Sequence, residues 1–433
     1  MPIKPLTRIF GTVLFVAACT SSMASDDTIS YLHAGTLIDT VAGQVLRDQI
    51  VVIRNGRIES VDAAAAVDVP DDAHVVDLSD RTVLPGLIDM HVHLTSDASL
   101  HGYNRLGRSA IRSALYGARA ARTTLEAGFT TVRNVGAAAY GDVALRDAIN
   151  DDDVPGPRMR VSGPSVGITG GHCDNNLLPP EYEHRSAGVA DGPWAVREQV
   201  RKNVKYGADL IKFCATGGVL SRGTTIGARQ FTPEEMSALV DEAHTLGLKV
   251  AAHAHGTAGI RAAIRAGTDT IDHASLLDDE AIELAVEHDT TLVMDVYVTE
   301  YILGEGEAAG ILQESLERER QVGAAQRESF RRAHEAGVRI AFGTDAGVFP
   351  HGQNARQFYY MVDNGMTPMQ AIQAATVAAA HALGWSDSVG AIAPGHHADL
   401  IAVRGNPLED IRLLESVDFV MKGGEVVLDR AGD

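Results

Sequence analysis

Leu84-Pro85-Gly86-Leu87-Ile88-Asp89-Met90-His91-Val92-His93-Leu94 is the stretch from which the rest of the chain can be read. A Pro-Gly turn opens a largely apolar run, the pattern of a strand buried on both faces. The run closes on two histidines, and period-two geometry puts both imidazoles on one face, where they can grip one metal ion. Alone the pair is weak evidence, because 17 His among 433 residues give about 0.7 His-x-His pairs by chance.

Working outward, the same texture of apolar strand, polar loop and helix of ten to twenty residues recurs along the chain. Strands are predicted at about 86 to 93, 129 to 135, 158 to 163, 208 to 215, 248 to 254, 269 to 273, 290 to 294 and 338 to 345. Eight strands alternating with helices predict an α/β fold, a (β/α)8 TIM barrel over residues 86–392. Gly128, Gly247 and Gly337 end amphipathic helices just before strands. Residues 164–193, rich in Gly and Pro, read as the largest irregular loop and a lid over the barrel mouth. Short alternating strands at both ends, residues 27–85 and 393–433, predict one small composite β-sandwich domain.

In such a barrel the C-terminal strand ends carry the chemistry. His253 closes KVAAH, with His255 two residues on, and His273 closes DTIDH. Asp345 follows the apolar run RIAFGT, where a buried carboxylate is costly unless it meets a cation. Lys212 stands in the middle of the apolar strand ADLIKFCA, facing inward with Leu210 and Cys214. Burial depresses the pKa of such an amine, and a neutral amine can react with carbon dioxide to give a two-oxygen anionic carbamate able to bridge two cations. A lysine snorkelling to solvent or paired with Asp345 is the plainer alternative. Read together, His91, His93, Lys212, His253, His273 and Asp345 form a candidate site for two divalent metal ions, with zinc the choice for a His-rich set.

Composition narrows the function classes. The chain is 45% hydrophobic and 22% charged, ordinary for a globular enzyme, and its formal charge of -20 argues against nucleic acid as a partner. Lys4 and Arg8 precede the apolar run Ile9 to Ala18, the pattern of a bacterial export signal. Two endings stay open: a lipobox-like Val16-Ala17-Ala18-Cys19, with lipidation of Cys19 after residues 1–18, or Ser22-Met23-Ala24, with release after residues 1–24. Either predicts an exported protein, as a periplasmic, secreted or outer-membrane lipoprotein species, and no later stretch is apolar enough to span a bilayer. Export leaves Cys173 and Cys214 as available disulfide partners, but sequence alone cannot pair them.

These motifs, in order and at barrel spacing, resemble the amidohydrolase superfamily, from LPGLIDMHVHL through IKFCATGG, AAHAHG, DTIDHAS and FGTDAG to GAIAPGHHADLIAV. The segments ITGGHCD and PHGQNARQF look like its Xaa-Pro dipeptidase and imidazolonepropionase-like group, which includes peptidases of dipeptides and N-acyl amino acids and bacterial ochratoxin A amidohydrolases. Cys173 departs from the Gly expected in GGHCD and sits in the loop that carries His172. The resemblance implies His91, His93 and Asp345 on one metal, His253 and His273 on the other, and a carboxylated Lys212 bridging them. It also implies that Asp345 serves as general base and that the chain forms homo-oligomers, octamers among them.

The expected activity is hydrolysis of the amide of an N-acyl amino acid or dipeptide, ochratoxin A to ochratoxin alpha and phenylalanine included. His255 and His172 are candidates to hold the carbonyl or its oxyanion. Arg222, in GGVLSRGTT, is the candidate cation for a substrate carboxylate, with Tyr297 and Asn354 on the loops after strands seven and eight. Two other readings are a cyclic amide hydrolase or deaminase, against which Lys212 argues, and a non-catalytic periplasmic metal-binding lipoprotein.

Overall fold

The structure is a computed structural model and describes residues 27–430, so both proposed leader endings, Cys19 included, lie outside the described residues. The chain begins with β1 (Ile29–Asp39), β2 (Gln44–Arg54), β3 (Arg57–Ala63) and β4 (His74–Pro85). Asn55 and Gly56, with φ of 52° and 74°, make the two-residue turn between β2 and β3, and only such left-handed pairs match the twist of a tight hairpin.

Eight short strands follow: β5 (Leu87–Val92), β6 (Phe129–Asn134), β7 (Arg158–Val161), β8 (Leu210–Cys214), β9 (Lys249–Ala254), β10 (Thr270–His273), β11 (Thr291–Val293) and β12 (Ile340–Ala341). All pair in parallel, β5 to β7 as one sheet and β8 to β12 as another. Isolated bridges pair Val92 of β5 with Ala346, beyond β12, and Val166, beyond β7, with Phe213 of β8. Each of the eight segments predicted from sequence contains one of these strands. The last is shorter than expected because the ladder breaks after Ala341: Asp345 takes φ 62°, and its N–H turns to the His91 carbonyl at 2.8 Å.

The connecting helices start and stop where their caps dictate. In the helix Pro233–Thr245 the Thr232 side chain accepts from the Glu235 N–H while Glu235 reaches back to the Thr232 N–H, a reciprocal capping box with Pro at the first position. Gly128, Gly247 and Gly337 all follow helices with positive φ, as their placement predicted. The helices' apolar faces share one large core with the outward faces of the strands, including Phe129, Phe213, Phe330 and Phe358. Between β7 and the helix Pro193–Lys205 the only helical element is the 3₁₀ turn Pro180–Tyr182, so the stretch read as an irregular loop is one.

The chain then returns with β13 (Leu400–Val403), β14 (Phe419–Lys422) and β15 (Glu425–Asp429). Hydrogen bonding joins strands from the two chain ends in a single seven-stranded sheet. β4 is the reason: it pairs in parallel with β1 on one edge and antiparallel with β13 on the other, so the two sets of strands meet side by side. This sheet keeps its own core of Leu32, Leu37, Val51, Ile53, Leu78, Leu400 and Phe419. Among the described residues no helix is long and apolar enough to cross a membrane.

Candidate active site

His91 leaves β5 almost fully buried, and His93 follows just past its end. Their Nε2 atoms converge on one oxygen, each 3.3 Å from Asp345 Oδ1. His253 lies on β9 and His273 ends β10, so the strand register brings them side by side with ring centroids 4.5 Å apart. His255 stacks on His273 at 4.8 Å, and His91 approaches His273 at 4.9 Å. Ligand atoms of His253, His255 and His273 fall within 4.8 Å of one another, as do those of His91, His273 and Asp345. His273 and Asp345 hold φ of 71° and 62°, a left-handed conformation that costs a non-glycine residue about 1–3 kcal/mol and clusters at functional sites.

These donors suit a metal. The His253 Nε2 atom is buried with no hydrogen-bond partner, and an orphaned buried nitrogen is costly unless it is a ligand. His273 shows the matching support: its Nδ1 lies 2.8 Å from Asp295 Oδ2, the contact that directs Nε2 toward the other rings when Asp295 is ionised. Gln326 Nε2 in turn donates to Asp295 Oδ1 at 2.9 Å. Asp295→Asn is therefore expected to weaken metal retention about 10- to 100-fold, read by metal analysis after dialysis against a graded chelator. Retention equal to wild type would show that Asp295 does not support the ligand.

The electrostatics of the cluster point the same way. Burial holds His253 and His255 well below the ordinary imidazole range, and burial with the neighbouring His91 charge takes His273 down to about 3, so all three rings are neutral. His91 goes up to about 9: burial and Lys212 oppose its charge, but Asp345 and Asp272 prevail. Burial alone would raise Asp345, yet His91 and His93 hold it well below the usual carboxylate range. Without metal, His91 thus carries the proton where a cation would stand. Metal binding must expel it, so affinity at this position is expected to rise about tenfold per pH unit from pH 6 to 8. Competition with a chromophoric chelator measures this, and a flat profile would contradict it.

Lys212 is buried, and desolvation lowers its pKa against the opposing pull of Asp272, which it contacts directly. Asp272 Oδ1 accepts from Arg133 Nη2 at 2.7 Å, while Arg133 also donates to Thr270 Oγ1 at 2.7 Å and the Met90 carbonyl at 2.6 Å. This pair ties β5, β6 and β10 together beneath the histidines. Arg133→Met leaves Asp272 with Lys212 and strands two buried acceptors, Thr270 Oγ1 and the Met90 carbonyl, so it is expected to cost about 1–3 kcal/mol in chemical denaturation. A loss under 1 kcal/mol would rule the pair out as a structural support.

The other predicted residues separate. His172 joins the cluster: its ring stacks on His253 at 4.0 Å, its Nδ1 meets Ser221 Oγ at 2.8 Å, and burial lowers its pKa to about 3. His255 Nδ1 meets Ser275 Oγ at 2.7 Å. Arg222 stands next to Ser221 on the exposed rim and contacts the Tyr103 hydroxyl. Asn354 and Tyr297 do not join the histidines. Asn354 Nδ2 donates to Asp89 Oδ2 at 2.8 Å inside the core, and Tyr297 packs on Phe349 with its hydroxyl toward Gln353 and Arg356. Cys173 and Cys214, left unpaired by the sequence, form a disulfide with Cα atoms 5.9 Å apart.

The Amidohydrolase family model matches residues 82–427, nearly the whole described chain. The chain belongs to the amidohydrolase family. It is 35% identical to ochratoxinase of Aspergillus niger over 92% of this chain and 86% of that one. A Xaa-Pro dipeptidase structure with methionine bound in its active site superposes with a TM-score of 0.87 at 40% identity, covering 92% of this chain and 99% of that one. A prolidase complexed with N-methylphosphonate-L-proline gives a TM-score of 0.85 at 32% identity, covering 93% and 100%. This amidohydrolase is accordingly a hydrolase of amide or peptide carbon–nitrogen bonds.

Sequence reading passed over three of this amidohydrolase's site-supporting residues: Arg133, Asp272 and Asp295. A signal was present, since each is a charged residue inside or just after an apolar strand, as in TTVRNV, DTIDH and TLVMD. It was the same oddity that singled out Lys212.

Proposed function

We propose that the chain is a binuclear, metal-dependent amidohydrolase that cleaves N-acyl amino acids and dipeptides, ochratoxin A among them, on eight parallel strands closed into a (β/α)8 barrel. The observation that carries this is the convergence of His91 and His93 from the end of β5 with His253, His273 and Asp345 from three other strand ends, with His253 Nε2 buried and unpartnered. His91, His93 and Asp345 would hold one cation and His253 and His273 the other, with a carboxylated Lys212 between them. Divalent ions so held, zinc by preference, lower the pKa of water and polarise a carbonyl.

The chain's own residues do the rest. Asp345, kept ionised by His91 and His93, accepts the proton of the attacking water and delivers it to the departing amine. His255 and His172, both held neutral, present ring N–H groups to the carbonyl oxygen as charge develops on it. Arg222 on the rim pairs with the free carboxylate of the leaving amino acid. Its neighbour Tyr103 is half exposed and offers an aromatic face at the same place.

In this reading the chain is exported, to the periplasm, the medium or, through lipidated Cys19, the outer membrane. It works as a homo-oligomer, octamers among the forms considered, on small-molecule amides and not on nucleic acid. The disulfide supports the export half of this, because such bonds persist in oxidising compartments.

Mass-spectrometric product analysis of the zinc-loaded enzyme with ochratoxin A beside a panel of dipeptides and N-acyl amino acids tests the activity. Release of phenylalanine from the toxin faster than any dipeptide is cut supports the aryl-acyl reading. Cleavage of dipeptides alone restricts the enzyme to peptidase activity, and no cleavage of any amide with both metals loaded overturns the proposal.

A further inference from the structure

Cys214 is the last residue of β8 and, in the strand register, the direct partner of His253 on β9. The backbone locks this end of the bond in place: the Cys214 N–H donates to the Val166 carbonyl at 2.9 Å, and the Ala215 N–H to the His253 carbonyl at 2.9 Å. The other end, Cys173, is the immediate neighbour of His172, whose ring lies on the His253 ring at 4.0 Å and 22°. A covalent link, Cys173 to Cys214, therefore runs alongside a non-covalent one, His172 to His253, between the same loop and the same strand pair.

The loop has little else to fix that ring. His172 Nδ1 reaches Ser221 Oγ at 2.8 Å and its N–H reaches Gln230 Oε1 at 3.0 Å, both on a neighbouring irregular segment. Behind the ring stands Gly218, where any Cβ would fall on the imidazole. The segment has no ladder of its own beyond isolated bridges at Val166 and Gly167. A single bond that closes 41 residues and anchors beside His253 is the covalent constraint next to His172, added to the loop's own hydrogen bonds.

We infer that the Cys173–Cys214 disulfide is a positioning element of the active site: it holds His172 in register over His253, and opening it frees His172 from the site without removing a metal ligand. The inference rests on the hydrolase reading above, in which His172 faces the reacting carbonyl. It acts through His172, so its removal changes turnover more than ground-state binding.

The full-length, metal-loaded enzyme tests this with Cys173→Ala/Cys214→Ala, His172→Ala and the triple variant, assayed on whichever amide the wild type cuts best. Expected is a roughly tenfold fall in kcat for the double variant, with KM within about threefold and metal content unchanged. In the His172→Ala background, loss of the disulfide is expected to lower kcat no further. Amide exchange over residues 167–176 is expected to speed up while β8 stays protected.

Reduction of folded wild type repeats the experiment without mutation. A water-soluble phosphine becomes its oxide with oxygen from water as the disulfide becomes two thiols. Oxidised glutathione then re-forms the bond by exchange and releases two glutathione thiols. kcat is expected to fall and return, which decides the matter even where the double variant does not fold. Unchanged kcat on opening the bond, or an equal loss with and without His172, overturns the inference. A wild type that cuts no amide would instead defeat the hydrolase reading, and unaltered exchange at 167–176 would still refute the hold of the bond on the loop.

Discussion

In the binuclear reading, Lys212→Ala is expected to lower kcat by about 10³-fold or more and to reduce bound metal from two ions per chain to one, because several kcal/mol of transition-state stabilisation would depend on the metal pair. The side chain is buried on β8, where desolvation lowers its pKa against the pull of Asp272. Its own partner, Asp272, keeps a second cation in Arg133 at 2.7 Å, so removal of Lys212 does not strand a lone carboxylate. The fold should therefore survive, and Lys212→Met, which fills the same space, separates loss of packing from loss of the ligand. Both variants are expected to unfold cooperatively and both to be inactive. Full activity together with two bound metals in Lys212→Ala would sink the binuclear reading, and with it the distinction from single-metal deaminases.

How much of this was readable in advance differs between parts of the molecule. The parallel strands were legible because each is a short apolar run between polar loops, and a polar residue stands out at the end of such a run, as His253 and His273 do on β9 and β10. The edge-to-edge union of β4 with β13 was not, because alternation says which face of a strand is buried but not which strand lies beside it. Arg133 and Asp272 are 139 residues apart, and each alone reads as a local anomaly; only the fold shows that they cancel one another. Asn354 shows the limit from the other side. A polar residue on a loop after the last strand suggests substrate contact, yet its amide is spent on Asp89 and its carbonyl accepts from the Gly352 N–H.

Asp345→Asn isolates the proton-transfer role from the ligand role. The backbone at this position is left-handed, φ 62°, and Asn is among the few residues that adopt that region readily, so the substitution leaves the turn after β12 unstrained. The amide oxygen can still face His91 and His93, whose Nε2 atoms both point at Oδ1. What is lost is the negative charge: the amide cannot accept a proton, and His91 loses the strongest of the influences that raise its pKa. The expected result is a fall in kcat of about 10²- to 10⁴-fold, the range for a positioned general base, with KM little changed and at least one metal ion retained. Because Asp345 is ionised well below neutrality, the wild-type rate owes no alkaline gain to this residue at assay pH, and any rise in rate above pH 6 reports another group. Activity within tenfold of wild type in Asp345→Asn would move the base elsewhere in the cluster, with His255 and His172 the first residues to substitute next.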